Sequence, residues 1–243
     1  MFKKTIFNPK GIPHLMYSKS EWIEYPKYYL STIPQSNKKE SLPLRIGRVN
    51  GTDSSLVAGH SQYSKADTPE NIVKRICHLT NNDKLDENSR RRMDFGNHFE
   101  PIVRKWYSDT YKIDVKEIGY AVSKQNENIG CSADGDIGQG IIEIKCTEGD
   151  LSSPLLFQAK IKPEKRAYSH IRRDHFDQMQ HNIAVLDKEF CDYIFFSPKK
   201  IYVERIPKLE NYFDSILMPK YKSFIDTYLS PYIKDNGIEI IKP

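Results

Sequence analysis

The stretch GCSADGDIGQGIIEIKC, residues 130–146, decides the fold. Its second half reads as a strand. Side chains two apart on a strand share a face, so Glu143 and Lys145 project together while Ile142, Ile144 and Cys146 face the other way. A charge removed from water without a partner is expensive. Two charges inside an apolar strand therefore imply that something occupies the face they share. Asp134 lies on the turn leaving the preceding strand and meets them if the two strands are adjacent. Two carboxylates and one ammonium then share a small volume. Carboxylate oxygens suit a hard cation such as Mg2+, which keeps several waters and bridges protein carboxylates to a substrate phosphate. The Ile144 carbonyl is a candidate further ligand. Such a cation acidifies its water and neutralises phosphate, and Lys145 is placed to orient or help deprotonate the attacking water, a combination suited to phosphodiester hydrolysis. A bare Glu-x-Lys is commonly an exposed ion pair on an edge strand; Asp134 in SADGD and the apolar flanks on both sides favour the functional reading.

A chain of 243 residues suffices for one sizeable core. We expect a single domain over residues 44–243, preceded by an arm over residues 1–43 in which Lys, Pro and Tyr mix without sustained periodicity and only a short helix near residues 20–29 is suggested. The formal net charge of +5 combines 37 Lys and Arg with 32 Asp and Glu. It hides clusters at Lys3-Lys4, Lys38-Lys39, Arg90-Arg91-Arg92, residues 160–166 and Arg172-Arg173. Such runs are solvated faces unless they surround a site that handles phosphate. No apolar run approaches the ~20 residues that span a bilayer, and MFKKTIF lacks the long apolar segment of a signal peptide, so a soluble intracellular protein without a membrane partner is expected. Cys77, Cys131, Cys146 and Cys191 form no C-x-x-C pair, which argues against zinc and iron–sulfur sites and for reduced, mostly buried thiols.

Thr68 before Pro69, followed by Ile72, Val73 and Ile76, predicts a helix over residues 69–79. Phe95, Phe99, Ile102, Val103 and Trp106 predict another, with a kink or break near Glu100 because Pro101 removes a backbone donor. KEIGYAVS, NIGCSAD and GIIEIKC read as short strands of a meander. The segment at residues 173–186 is helical, with Phe176, Met179, Ile183 and Leu186 on one face and Gln178 and His181 on another. EFCDYIFFSP and KIYVERIP form two strands joined by a turn at residues 197–200, and a terminal helix follows over residues 209–233.

GNHFEP, CSADGD, IIEIKC and DHFDQMQHN, in this order, resemble the motif set of the phage lambda exonuclease and YqaJ-type viral recombinase nucleases, a branch of the PD-(D/E)XK superfamily. The resemblance spans residues 44–185; each motif alone is weak, and four in order are specific. It implies an α/β fold, a PD-(D/E)XK restriction-endonuclease-like core with helices on both sides of a central mixed sheet. It implies Asp134 and Glu143 as metal ligands, beside which the Ile144 carbonyl remains the candidate read from the strand, Lys145 as the catalytic lysine, and Glu100 of the GxxxE motif completing the acidic site through a water on the cation. The implied cofactor is Mg2+, with Mn2+ as a substitute, at two ions per site. The upstream segment LRIGRVNGTDSSLVAGHSQY is similar to the family region that holds a 5′-phosphate. Arg45 and Thr52 match its positions by spacing, with Ser132 and Gln178 as further phosphate contacts. Arg48 and Ser54 remain alternatives, because the spacing tolerates a shift of two or three residues. Arginine suits the task because its planar fork donates two hydrogen bonds to one phosphate.

The chain departs from the family at Ala133, where a proline is usual, and at His175, where an aromatic often precedes the glutamine motif. Asp136 is an extra acid that either binds metal or caps the turn, and His181 is expected on the helix surface or at a phosphate. The implied activity is a Mg2+-dependent exonuclease acting on the 5′-ended strand of linear duplex DNA and leaving 3′ single-stranded tails. An RNA-cleaving nuclease of the same fold and a catalytically inactive nucleic-acid-binding module are the alternatives. The implied partners are double-stranded DNA with free 5′ ends, a single-strand annealing protein and further copies of the chain. For a viral protein the location would be the host cytoplasm or nucleus.

Overall fold

The computed structural model describes residues 22–60, 68–78, 86–149 and 171–243. The lysines at positions 3 and 4 and the basic run at residues 160–166 lie outside them. Among the described residues, eight strands form two four-stranded sheets. The first sheet is antiparallel throughout: β1 (Trp22–Glu24), β2 (Tyr28–Pro34), β3 (Gly119–Ser123) and β4 (Gly130–Cys131) follow one another in space as in sequence. Strands therefore occupy residues for which composition suggested a short helix. Tyr29 and Leu30 pair in register with Val122 and Ala121, and that pairing overrides the weak local preference.

The second sheet is mixed and carries the chemistry. β5 (Gly135–Asp136) pairs antiparallel with β6 (Gly140–Cys146), β6 runs parallel to β7 (Phe190–Ser197), and β7 turns at Ser197 and Lys200 into antiparallel β8 (Lys200–Pro207). A parallel pair needs a crossover, and the chain makes it through the helix Arg173–Val185, which covers one face of the sheet. The other face is covered by the long helix Glu87–Tyr111. The alternation of β6 explains this three-layer order. Ile141 packs with Met179 and Ile183 of the crossover helix, whereas Ile142 and Ile144 pack with Val103 and Tyr107 of the long helix. We number the helices in chain order: α1 (Lys38–Ser41), α2 (Ser54–Val57), α3 (Pro69–His78), α4 (Glu87–Tyr111) and α5 (Arg173–Val185).

The predicted break near Glu100 is absent, and α4 runs through Pro101 without interruption. Pro101 does cost one backbone bond, but tertiary packing holds the helix on both sides of it. Phe95 and Phe99 lie 6.4 and 5.0 Å from the Phe196 ring, and Val103 and Tyr107 are buried beyond it. Tyr107 also donates to Asp192 at 2.5 Å, and Asp192 accepts both the Nε and NH2 donors of Arg205. The chain ends in a helical column whose wide π turns at Phe213–Leu217 and Ile225–Leu229 precede Pro219 and Pro231. The wider turn moves the clashing carbonyl away from each proline ring. No described helix is long and apolar enough to cross a membrane.

Two further expectations are revised. His181 is fully buried, bonded to the Tyr221 hydroxyl and the Gly130 carbonyl, and burial lowers its pKa to about 4, so it is a neutral core residue. Arg48 is fully buried and donates to the carbonyls of Glu127, Leu44 and Ile241, which ties the C-terminal segment to the first sheet. Removing this guanidinium leaves three carbonyls unpaired, of which that of Leu44 is buried and those of Glu127 and Ile241 are partly so; a buried unpaired acceptor costs about 1–3 kcal/mol. Arg48→Ala should therefore lower the stability by about 1–3 kcal/mol in urea unfolding, more than truncation of a surface arginine.

Candidate active site

The chain passes from the first sheet to the second at residues 132–134, between β4 and β5. β5 pairs only with Ile141 and Ile142, so the edge of β6 is open from Glu143 onward. Asp134 fills that gap: its Oδ2 accepts the Ile144 amide at 2.6 Å. N–H and C=O of one strand residue point to the same side, so the Ile144 carbonyl is directed to this edge as well. The loop of Asp136 is held separately. Its carboxylate accepts from Gly138 N and from Lys188, both at 2.7 Å, and caps the turn.

Glu143 projects toward α5 and is 1% exposed. Lys145 Nζ and Gln178 Nε2 each donate to its Oε1 at 2.6 Å, Lys145 also reaches Gln178 Oε1 at 3.0 Å, and Asn182 approaches Oε2 at 3.3 Å. Glu100 and Arg104 come from α4, paired at 2.7 Å one turn apart. Burial above all, and then the charge of Asp134, raise Glu100 to about 7. Glu143 is likewise raised to about 7 by burial, with Lys145 pulling it down and Asp134 adding to the rise. Asp134 is raised by burial against the opposing pull of Lys145 and the Ile144 amide. Burial works against the Lys145 ammonium, yet Glu143 and Asp134 outweigh it and hold the pKa above its usual value. The cluster is a set of acids, Glu143 buried and Asp134 and Glu100 partly buried, whose charges are incompletely compensated.

Beside it, Arg45 NH2 donates to Ser132 Oγ at 2.7 Å, two residues before Asp134. Thr52 is exposed on a short 3-10 turn whose neighbour Gly51 abuts α5: a Cβ there would lie 2.4 Å from Asn182 Oδ1 and 3.1 Å from Gln178 Cγ. Arg45, Ser132, Gln178 and the Thr52 turn thus flank the acidic cluster. The alternatives do not: Arg48 is committed to backbone carbonyls, and Ser54 is buried and donates to Gly51 O. Arg172 and Arg173 pair with Asp174 and Asp177. Arg104 and Asn182 were missed in the sequence. Arg104 is marked only by following Glu100 by one helical turn, and Asn182 only by following Gln178 by one. Among the described residues, Arg45 Nε, Arg104 Nε and Asn182 Oδ1 are buried without a hydrogen-bond partner, and all three atoms belong to side chains of this site.

The mixed sheet, the flanking helices, and Glu143 and Lys145 on β6 with Asp134 at its edge give a PD-(D/E)XK-type fold. The YqaJ-like viral recombinase domain family matches residues 40–189, more than half of the chain, and the chain belongs to that family. Among solved structures the fold resembles an alkaline exonuclease, LHK-Exo, from Laribacter hongkongensis, at 22% identity and a TM-score of 0.60 over 82% of this chain and 97% of that one. The same enzyme in complex with dAMP superposes at 20% identity and a TM-score of 0.60, covering 82% and 98%. A phage-related exonuclease from Haemophilus somnus 129PT gives 17% identity and a TM-score of 0.53, covering 77% and 96%. No curated protein matches the sequence significantly.

The raised carboxyls have a measurable consequence. A folded-state pKa of about 7 against an ordinary value of 4.5 means that the folded chain keeps protons which the unfolded chain releases. The associated stability is fully present below about pH 4.5 and is lost as pH rises through about 7. Without divalent cations, the melting temperature should therefore fall between pH 5 and 8, and Glu100→Gln should flatten that slope. A slope unchanged by the substitution would contradict the burial of this acid.

Proposed function

We propose that the protein is a Mg2+-dependent exonuclease that degrades the 5′-ended strand of linear duplex DNA and leaves 3′ single-stranded tails. What carries this reading is the convergence of Asp134, Glu143 and Lys145 on the open edge of β6, with Glu100 opposite and the Arg45–Ser132 pair alongside. Family membership and the likeness to exonuclease structures support nuclease chemistry. The complex of LHK-Exo with dAMP supports DNA as the substrate class.

The donor set fits a hard cation. Asp134, Glu143 and the Ile144 carbonyl offer oxygens at one edge, while among the described residues no three His, Cys, Asp or Glu side chains form a cage by themselves. Water and substrate phosphate would complete the coordination, the arrangement Mg2+ favours, with Mn2+ as a substitute. Bound there, the cation would neutralise phosphate charge and lower the pKa of water. Lys145, held between Glu143 and Gln178, would orient the attacking water. Arg45, Ser132, Gln178 and Thr52 would hold the terminal 5′-phosphate. Because Ser132 lies two residues from Asp134, a terminus held there brings the first phosphodiester bond over the acids, and proximity sets where the cut falls.

Asp134→Ala or Glu143→Ala should abolish Mg2+-dependent cleavage of end-labelled linear duplex while leaving the fold intact. Near-normal cleavage by either variant would exclude the assignment. A circular duplex and a matched RNA, run beside the linear substrate, should resist digestion. Saturating Mg2+ should also stabilise the protein by roughly 2.7 kcal/mol at one hundred times its Kd, on the order of 5–10 °C for a chain of this size. Arg45→Ala should slow digestion of 5′-phosphorylated ends far more than of 5′-hydroxyl ends, whereas Lys145→Ala should impair both. The comparison needs fixed salt, since bulk phosphate attraction varies with ionic strength. Equal losses on both ends would remove Arg45 from the pocket.

A further inference from the structure

The acidic site carries its own counter-cations. Lys145 lies 2.6 Å from Glu143, and Arg104 lies 2.7 Å from Glu100. An ion pair one turn apart on a helix is commonly a minor surface stabiliser. This one differs in its setting. The Arg104 side chain is 20% exposed, its charge is felt by Asp134, and it stands on the helix face that brings Glu100 to the open edge of β6. Its Nε–H is buried and has no acceptor among the described residues. An arginine has five donors in a rigid fork, and a side chain serving only to brace a helix gains nothing by leaving one of them buried and unmade. In this geometry the guanidinium spends one nitrogen on Glu100 and retains donors that carbonyls or carboxylates nearby do not satisfy.

Resting on the nuclease reading above, we propose that Arg104 is a displaceable counter-ion. It neutralises Glu100 in the metal-free site and turns to a phosphate oxygen of the substrate once Glu100 serves a divalent cation. Two physical arguments support the exchange. A fixed positive charge beside the carboxylates opposes the binding of a second cation, so occupancy of the site by a divalent ion weakens the hold of Glu100 on Arg104. A guanidinium then freed matches a phosphate bidentately, which an ammonium cannot do. Lys145 differs, since Gln178 holds it from a second side. Arg104 has no second fixed acceptor of this kind among the described hydrogen bonds.

The exchange predicts opposite signs for two measurements on the full chain. Arg104→Gln should bind Mg2+ about 3- to 10-fold more tightly in calorimetry without DNA, because a competing positive charge is gone. It should also cleave 5′-phosphorylated duplex about 100-fold more slowly at saturating Mg2+, because a donor to the phosphate is gone. Arg104→Lys should keep the wild-type Mg2+ affinity and still cleave slowly, since it retains the charge and lacks the fork. An arginine that merely braces α4 would weaken metal binding and cleavage together. Unchanged or weaker Mg2+ affinity in Arg104→Gln would overturn the proposal, as would wild-type turnover in either variant. Should Arg104→Gln fail to fold, Arg104→Lys decides alone: slow turnover at unchanged Mg2+ affinity supports the exchange, and wild-type turnover overturns it. A wild-type chain that neither binds Mg2+ nor cleaves would overturn the nuclease reading and this inference together. Wild-type cleavage without tightening in Arg104→Gln overturns this inference only.

Discussion

The hydrogen bond from the Ile144 amide to the Asp134 carboxylate is where a sheet gives way to a site. Had β5 continued for two more residues, a backbone carbonyl would have taken that amide, and the edge of β6 would have been sealed. Instead the ladder stops at Ile142, and a side chain makes the next bond. One carboxylate oxygen satisfies the buried donor, which fixes the position of the other beside Glu143. The same interruption turns the chain from the first sheet into the second, so Ser132 and its partner Arg45 are brought to the site by the geometry that exposes the strand edge.

Much of this was legible because β6 reports its environment through alternation. Ile142, Ile144 and Cys146 on one face and Glu143 and Lys145 on the other fix a strand covered on both sides, and the charged face needs a reason to be buried. The motif order then fixed the long helix and α5 as its two covers. What could not be read were features decided across the chain. Trp22 to Pro34 carry no strong strand pattern, and only their register with Gly119 to Ser123 makes them strands. Pro101 argued locally for a break, but Phe196, contributed by a strand almost one hundred residues later, anchors the turn before it. His181 looked like a surface group because its acceptors, Gly130 and Tyr221, are distant in sequence.

The charges of the site show a similar division. Glu143 and Lys145 pair within one strand, so spacing alone reveals them. Arg104 and Asn182 matter through atoms that spacing does not display: a guanidinium nitrogen and an amide oxygen left unpaired in a buried setting. Buried polar groups without partners are uncommon in folded chains; of the six such side-chain atoms among the described residues, three, on Arg45, Arg104 and Asn182, belong to side chains of this site, as expected of a surface that receives a polar ligand, and three, on Trp22, Gln35 and Ser55, do not. The raised carboxyls express the same fact in protonation, since the folded chain alone supplies too little positive charge to keep all three acids ionised at low cost.

The site is consequently a place where the fold gives up stability, and the surrounding network shows how that is sustained. Asp192 lies on β7 next to β6, and it accepts from Tyr107 of α4 and from Nε and NH2 of Arg205 on β8. Arg205 in turn lies 3.7 Å from the Phe190 ring. This fully partnered cluster sits on the same sheet face as Ile142 and Ile144, two turns of α4 below Glu100. It fixes the helix axis against β7 and leaves the turn bearing Glu100 and Arg104 projecting toward the open edge. The attachment at Tyr107 and the unsatisfied Nε–H of Arg104 thus lie about one turn apart on the same helix. The first sets the position of Glu100 against β6, and the second is the observation from which the proposed exchange of partners is argued.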